Sequence, residues 1–210
     1  MNSLEGVMIV GLTGQTGAGK STVSKIFSEN GFYIIDADKV ARYISGKGSH
    51  CLIEIGDCFG KEIVINEDCT LNRSALAKIV FNDSEKLKLL NSIMYPYITS
   101  EILNQIRKFS DMGHKLILLD APTLFESHAD DFCELIVSVV AKEEIRKERI
   151  MKRDNISAEL AQARMNSQLP ESFFLQSSDF IVENNRDSEN LKEISNKVID
   201  KIKNYYNDKY

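Results

Sequence analysis

No stretch of this sequence is apolar for long enough to cross a membrane, and no basic lead with an extended apolar run marks a secretory signal. The apolar run nearest the start, Val7–Val10, is too short for either role. Also missing is any C-x-x-C pair among Cys51, Cys58, Cys69 and Cys133, which excludes a zinc ribbon or a thioredoxin-type redox motif. We expect four buried free thiols in a reducing, cytoplasmic setting. A basic excess is lacking too: 26 Lys and Arg face 31 Asp and Glu, for a net charge of −5. A nonspecific nucleic-acid binder must displace counterions with a basic surface, so no nucleic-acid partner is expected. Any anionic ligand must be met by local clusters of Lys and Arg, which suits a small phosphorylated metabolite. Internal repeats, low-complexity tracts and flexible linkers are absent, so the 210 residues read as one domain.

What is present begins with Val7–Leu12, apolar without alternation and followed by glycines, a short buried strand. Helical spacing at Val23, Ile26 and Phe27 predicts a helix over Ser21–Ser28, stopped by Asn30-Gly31. Phe32–Ile35 reads as a second strand ending at Asp36-Ala37-Asp38, which completes a βαβ unit and demands a parallel sheet. From Val40 to Met112 the pattern is helical, with one helix ended by Met94-Tyr95-Pro96. Lys115–Asp120, Leu135–Ala141 and Phe180–Val182 read as three further strands. A charged helix spans Glu143–Asp154, another opens at Ser157 and runs to Gln168, and Leu191, Ile194, Val198 and Ile202 mark a closing amphipathic helix. The expectation is an α/β fold with a doubly wound, parallel, five-stranded sheet. Its core covers about residues 1–42, 113–141 and 178–210, with a helical insertion over about 43–112 and a lid over about 142–177. Ligand should bind outside the carboxyl ends of the strands, where the strand order reverses.

Gly14-Gln15-Thr16-Gly17-Ala18-Gly19-Lys20-Ser21 matches the phosphate-binding pattern G-x-x-x-x-G-K-[ST] without a gap. Main-chain N–H groups must converge on a β-phosphate there, in conformations open chiefly to glycine. The helix that follows adds its positive end, Lys20 a charge between the β- and γ-phosphates, and Ser21 a hydroxyl for Mg²⁺. ATP with Mg²⁺ is therefore the expected ligand.

A guanine-reading N-K-x-D does not occur, which disfavours a switch GTPase. Asp36 and Asp38, two apart, would project together near the γ-phosphate if their strand lies beside the first. One could then deprotonate an acceptor hydroxyl, as a kinase requires; alone, the same pair would read as a turn or a helix N-cap. Arg42 follows Asp38 on the same helical face. Arg146, Arg149 and Arg153 share one face of the charged helix, with Arg164 on the next, and are either lid arginines for the transferring phosphoryl group or a solvated face paired with Glu143, Glu144 and Glu148. Asp120 ends the third strand, either as a metal-assisting carboxylate or as a strand-end cap.

Together these residues resemble the dephospho-coenzyme A kinase family over nearly the whole chain. The strand and loop from Gly11 to Thr22, the D-A-D-x-x-A-R element from Asp36 to Arg42, Phe59-Gly60, Leu71 to Leu76, the Pro122–Glu126 turn, Arg149 to Asp154, Gln168-Leu169-Pro170 and Asp179 to Asn184 all match its pattern. The chain departs from it at Gln15, Tyr95, Arg146 and Phe174. The resemblance implies ATP-dependent phosphorylation of the ribose 3′-hydroxyl of dephospho-coenzyme A; of the oligomeric states left open by the sequence, a monomer is favoured. Asp38 would be the base, with Lys20, Arg149 and Mg²⁺ neutralising the transferred group. ATP would be held by Gly14, Gln15, Thr16, Gly17, Ala18, Gly19, Lys20, Ser21, Thr22, Arg149 and Arg153. The acceptor would meet Asp36, Asp38, Arg42, Pro122, Leu124, Phe125 and Glu126; Asp120, unless it is the strand-end cap, would add a metal oxygen beside Ser21.

Overall fold

The structure is a computed structural model that describes residues 6–80 and 83–210; residues 81 and 82, inside the helical stretch read over 40–112, lie outside it. Five strands form one parallel sheet: β1 (Met8–Gly14), β2 (Tyr33–Asp36), β3 (Leu116–Asp120), β4 (Leu135–Val140) and β5 (Phe180–Glu183), in the order β2-β3-β1-β4-β5. β1 pairs with β3 through Leu12↔Asp120 and with β4 through Gly14↔Val139, so the order reverses at the carboxyl end of β1. That is the switch point at which a doubly wound sheet opens a crevice. β2 does not lie beside β1, as the reading of Asp36 and Asp38 required, because β3 intervenes. Nor do the two aspartates share a strand face: the chain turns helical at Ala37, leaving Asp36 as an N-cap and Asp38 in the first helical turn.

The chain divides into two compact units, one comprising residues up to Ile35 with Phe109–Tyr210, the other Asp36–Lys108. The first holds the sheet. α1 (Lys20–Glu29) and the closing helix α10 (Ser188–Lys209) lay Val23, Phe27, Leu191, Val198, Ile199 and Ile202 against Met8, Val10, Leu12, Val137 and Val139. Both β1 and β4 are apolar on both faces because helices cover both sides, and each buried large side chain contributes about 1.5–3 kcal/mol. α7 (Glu143–Asp154), α8 (Ala158–Asn166) and α9 (Glu171–Ser177) fill the segment between β4 and β5. Ser157 caps α8 by accepting from Leu160 N–H, as its position predicts. α9 has no counterpart in the expected elements; its Phe174 is buried, with the Phe125 and Phe173 rings at 6.1 Å each.

The second unit is helical: α2 (Ala37–Ile44), α3 (His50–Phe59), α4 (Lys61–Val64), α5 (Arg73–Val80) and most of α6 (Ser84–Asp111). α6 continues through Pro96, where a helix end was expected. The ring removes one donor at a cost of roughly 3 kcal/mol. Burial of Ile93 before it and of Ile102 and Ile106 after it holds the helix on both sides. Among the cysteines, Cys51 is buried and Cys133 partly so, but Cys58 and Cys69 are exposed, against the expectation of four buried thiols. Among the described residues no helix is long and apolar enough to cross a membrane.

Candidate phosphate-binding site

Between the end of β1 and the start of α1 the chain makes the loop that the glycine pattern predicts. Gly17 has φ 79° and an added Cβ there would stand 2.7 Å from the Arg146 carbonyl oxygen; Gly19 has φ 101° and its Cβ would strike the Asn184 side-chain amide. Both need glycine for conformation and for space. α1 starts at Lys20 with Gly19 as its N-cap and no side chain capping it. Its first N–H groups are therefore left for a ligand, and the helix dipole favours an anion there.

The loop carbonyls are turned outward and tied down. Arg146 Nε donates to Thr16 O at 3.0 Å, Arg149 Nη1 to Gly17 O at 3.3 Å, and Asn184 Nδ2 to Ala18 O at 2.7 Å. Each bond fixes the peptide plane whose N–H lies on the other side, and this sets the loop before any phosphate arrives. Arg146 is 4% exposed, so the solvated-face reading fails for it. Burial pushes its guanidinium below the ordinary arginine value, while Glu171 and Glu143 act the other way. Its place against a carbonyl satisfies a charge in a site where water is scarce.

Two further bonds join the loop to the segment after α8. Gln168 Oε1 accepts from Thr16 N–H at 2.8 Å, and Gln15 Nε2 donates to Leu169 O at 3.4 Å. Gln15 is buried with its Oε1 unpartnered. Ala18 N–H returns to Gln15 O at 3.1 Å, closing the turn.

Facing the loop is a cavity of about 380 Å³ lined by Gly14, Gln15, Thr16, Gly17, Gly19, Lys20, Ser21, Pro122, Arg149, Arg153 and Gln168. Ala18 is fully buried behind it, and Thr22 is exposed and not among the lining residues. Lys20 Nζ forms an ion pair with Asp120 at the end of β3. A cation and a carboxylate thus sit together where phosphate and metal charges would part them. Mg²⁺ keeps most of its water and takes one or two protein oxygens beside phosphate oxygens, so Ser21 and Asp120 suffice. Among the described residues no group of three or more His, Cys, Asp and Glu could hold a metal by itself.

Arg153 lines the cavity but binds its neighbour Asp154 in a fork, at 2.8 and 2.9 Å, and Arg164 reaches the same carboxylate at 2.5 Å. Hydrogen bonding from Arg153, then the two positive charges, holds the Asp154 carboxyl below the usual range. In the Pro122–Glu126 turn, Pro122 lines the cavity and its carbonyl accepts from Thr13 Oγ1 at 3.2 Å. Leu124 is fully buried, within reach of any Cβ placed on Gly11, and so packs the core instead of facing an acceptor. Phe125 stacks edge-on to Phe173, with centroids 5.0 Å apart. In the second unit, Asp36 accepts from Lys39 N–H at 3.0 Å as the α2 cap, while Asp38 and Arg42 are exposed on that helix.

Sequence reading gave Asn184 and Gln168 no role of their own. The only signal for either was its place in a short motif, after β5 and before Pro170.

The dephospho-CoA kinase (CoaE) family model matches residues 8–190. A dephospho-CoA kinase of Listeria innocua is 38% identical over 200 residues, covering 95% of this chain and 98% of that one. Among solved structures, TT1252 from Thermus thermophilus superposes with a TM-score of 0.81 at 30% identity, over 92% of this chain and 96% of that one. The dephospho-CoA kinase from Campylobacter jejuni gives a TM-score of 0.69 at 30% identity, with the same coverage.

Proposed function

The chain belongs to the dephospho-coenzyme A kinase family, and on that premise we propose how its own residues divide the transfer of the ATP γ-phosphoryl group to the ribose 3′-hydroxyl of dephospho-CoA. The reaction is ATP-dependent and yields coenzyme A and ADP, the last step of coenzyme A synthesis. The observation that carries the assignment is the loop whose three successive carbonyls are tied back by Arg146, Arg149 and Asn184, leaving the Gly17 and Gly19 amides and the start of α1 for a polyphosphate.

In this reading the loop amides and the start of α1 hold the β-phosphate, and Lys20 leaves Asp120 for the β–γ bridge. Bound on the nucleotide, Mg²⁺ supplies charge neutralisation at the phosphate oxygens, with Ser21 and Asp120 as the residues that would hold it. Asp38 accepts the 3′-hydroxyl proton as that oxygen attacks the γ-phosphorus and the bond to the β-phosphate oxygen breaks. Arg149, already at the loop, spreads charge from the transferring group, and Arg153 joins it by leaving Asp154. Residues 142–177 act as the lid that excludes water. Arg42, Pro122, Phe125 and Glu126 serve the acceptor, with Asp36 setting the start of α2 and Leu124 supporting the turn from the core. A cytoplasmic monomer completes the reading.

A coupled ADP-release screen across dephospho-CoA, shikimate and nucleoside monophosphates tests this. Release should depend on dephospho-CoA; a response to another acceptor with none to dephospho-CoA would sink the assignment.

A further inference from the structure

A second cluster of positive charge lies wholly within the helical unit. Asp38, Arg42 and Ser45 recur at i, i+4 and i+7, so they share one face of α2 and its C-cap. Arg73 reaches that face from the start of α5: its Nη2 donates to Ser45 Oγ at 2.9 Å, and Ser45 Oγ in turn donates to Ala41 O at 2.7 Å. The Arg73 guanidinium is thereby held against a residue three positions along the α2 face from Arg42.

Local electrostatics oppose this arrangement. Arg73 is the first residue of α5, the positive end of a helix, where a carboxylate is the favoured residue. Among the described residues neither Arg42 nor Arg73 forms an ion pair with a carboxylate. Burial and the Arg42 charge both hold the Arg73 guanidinium below its ordinary value. The backbone nonetheless fixes it in place. Asn72 N–H donates to Val64 O at 2.7 Å, Asn72 Oδ1 caps Ala75 N–H at 3.0 Å, and Leu71 bridges to Ile65. Local rules broken without an internal compensation are expected at functional sites.

We propose that Arg42 and Arg73 form the subsite for the 5′-diphosphate of the acceptor nucleotide. The proposal rests on the acceptor reading above, and it adds a residue, Arg73, and the group that it binds. Guanidinium forks match phosphate oxygens in pairs, and two of them side by side suit a diphosphate better than a single carboxylate. The spacing agrees: Asp38 and Arg42 stand four residues apart on α2, about 6 Å of helix rise, the order of the span from a ribose 3′-hydroxyl to its 5′-phosphates. One helix face would then carry both the base for the 3′-hydroxyl and the anchor for the other end of the nucleotide.

The test uses the full chain as wild type, Arg73→Gln, Arg73→Lys and Arg42→Gln. Dephospho-CoA affinity is measured by calorimetry, and KM for each substrate by ADP release. In Arg73→Gln and Arg42→Gln, Kd and KM for dephospho-CoA should rise about 10–100-fold, the worth of a charge-assisted pair. KM for ATP should stay within about threefold. Arg73→Lys, which keeps the charge and loses the fork, should fall between. Unchanged dephospho-CoA affinity in both Gln variants overturns the subsite. So does an equal loss of ATP affinity in both, which would mark damage to the fold. If wild type itself neither binds nor phosphorylates dephospho-CoA, it is the acceptor reading that fails.

Discussion

Arg149 and Asn184 hold each other and the phosphate loop at once: Arg149 Nη2 donates to Asn184 Oδ1 at 3.3 Å, and both side chains reach Ala18 O, at 3.5 and 2.7 Å. A residue at the end of β5 therefore orients both the loop and an arginine proposed to meet the transferring phosphoryl group. Asn184→Ala removes the closer donor to a buried carbonyl, which costs about 1–3 kcal/mol. The melting temperature should fall and KM for ATP should rise, with KM for dephospho-CoA little changed. Thermal unfolding and two-substrate kinetics check this.

Lys20 is paired with Asp120 in this structure, so removing it does two separable things. It leaves a largely buried carboxylate without its cation, and in the proposed reading it takes a charge from the bridge between phosphates. Lys20→Ala should reduce kcat by about 10²–10³-fold, the usual cost of losing one preorganised charge-stabilising group. Single-turnover measurement at saturating ATP isolates that term from any loss of binding. Near-normal turnover would contradict the role.

The cysteines should divide cleanly under a thiol reagent, because the thiolate is the reactive form. Burial, then the Glu54 charge, pushes Cys51 up to about 11; burial, then Asp130, pushes Cys133 up to about 12. Cys58 and Cys69 are exposed. At pH 8 the native chain should react rapidly at Cys58 and Cys69 alone, and at all four cysteines in denaturant. Peptide mapping of the labelled protein reads the outcome directly.

The site was legible in the sequence wherever chemistry is carried by consecutive residues. The pattern from Gly14 to Ser21 specifies loop, helix start, lysine and hydroxyl together, and the structure sets ten of the residues given a site role in advance around one cavity. What was not legible depends on contacts distant in the chain. Gln168 meets Thr16 across 152 positions and Asn184 meets Ala18 across 166, and no local pattern encodes either partner. Strand order is equally non-local, so nothing in Phe32–Ile35 indicated that β3 would separate β2 from β1. Pro96 shows the reverse case, a strong local signal overridden by apolar burial on both sides of it. Arg146 looked like one charge among many on a charged helix; its burial against Thr16 O could be seen only once the loop had a shape.

The central claim is that this chain moves the γ-phosphoryl group of ATP onto the ribose 3′-hydroxyl of dephospho-CoA, with Asp38 taking the proton. Mass spectrometry of the product, made from ATP and dephospho-CoA by wild type and by Asp38→Asn, tests it most directly. Wild type should yield coenzyme A in step with ADP, while Asp38→Asn should yield almost none and still bind ATP with near-wild-type affinity. Coenzyme A formed at the wild-type rate by Asp38→Asn, or ADP formed by wild type without coenzyme A, would contradict the account.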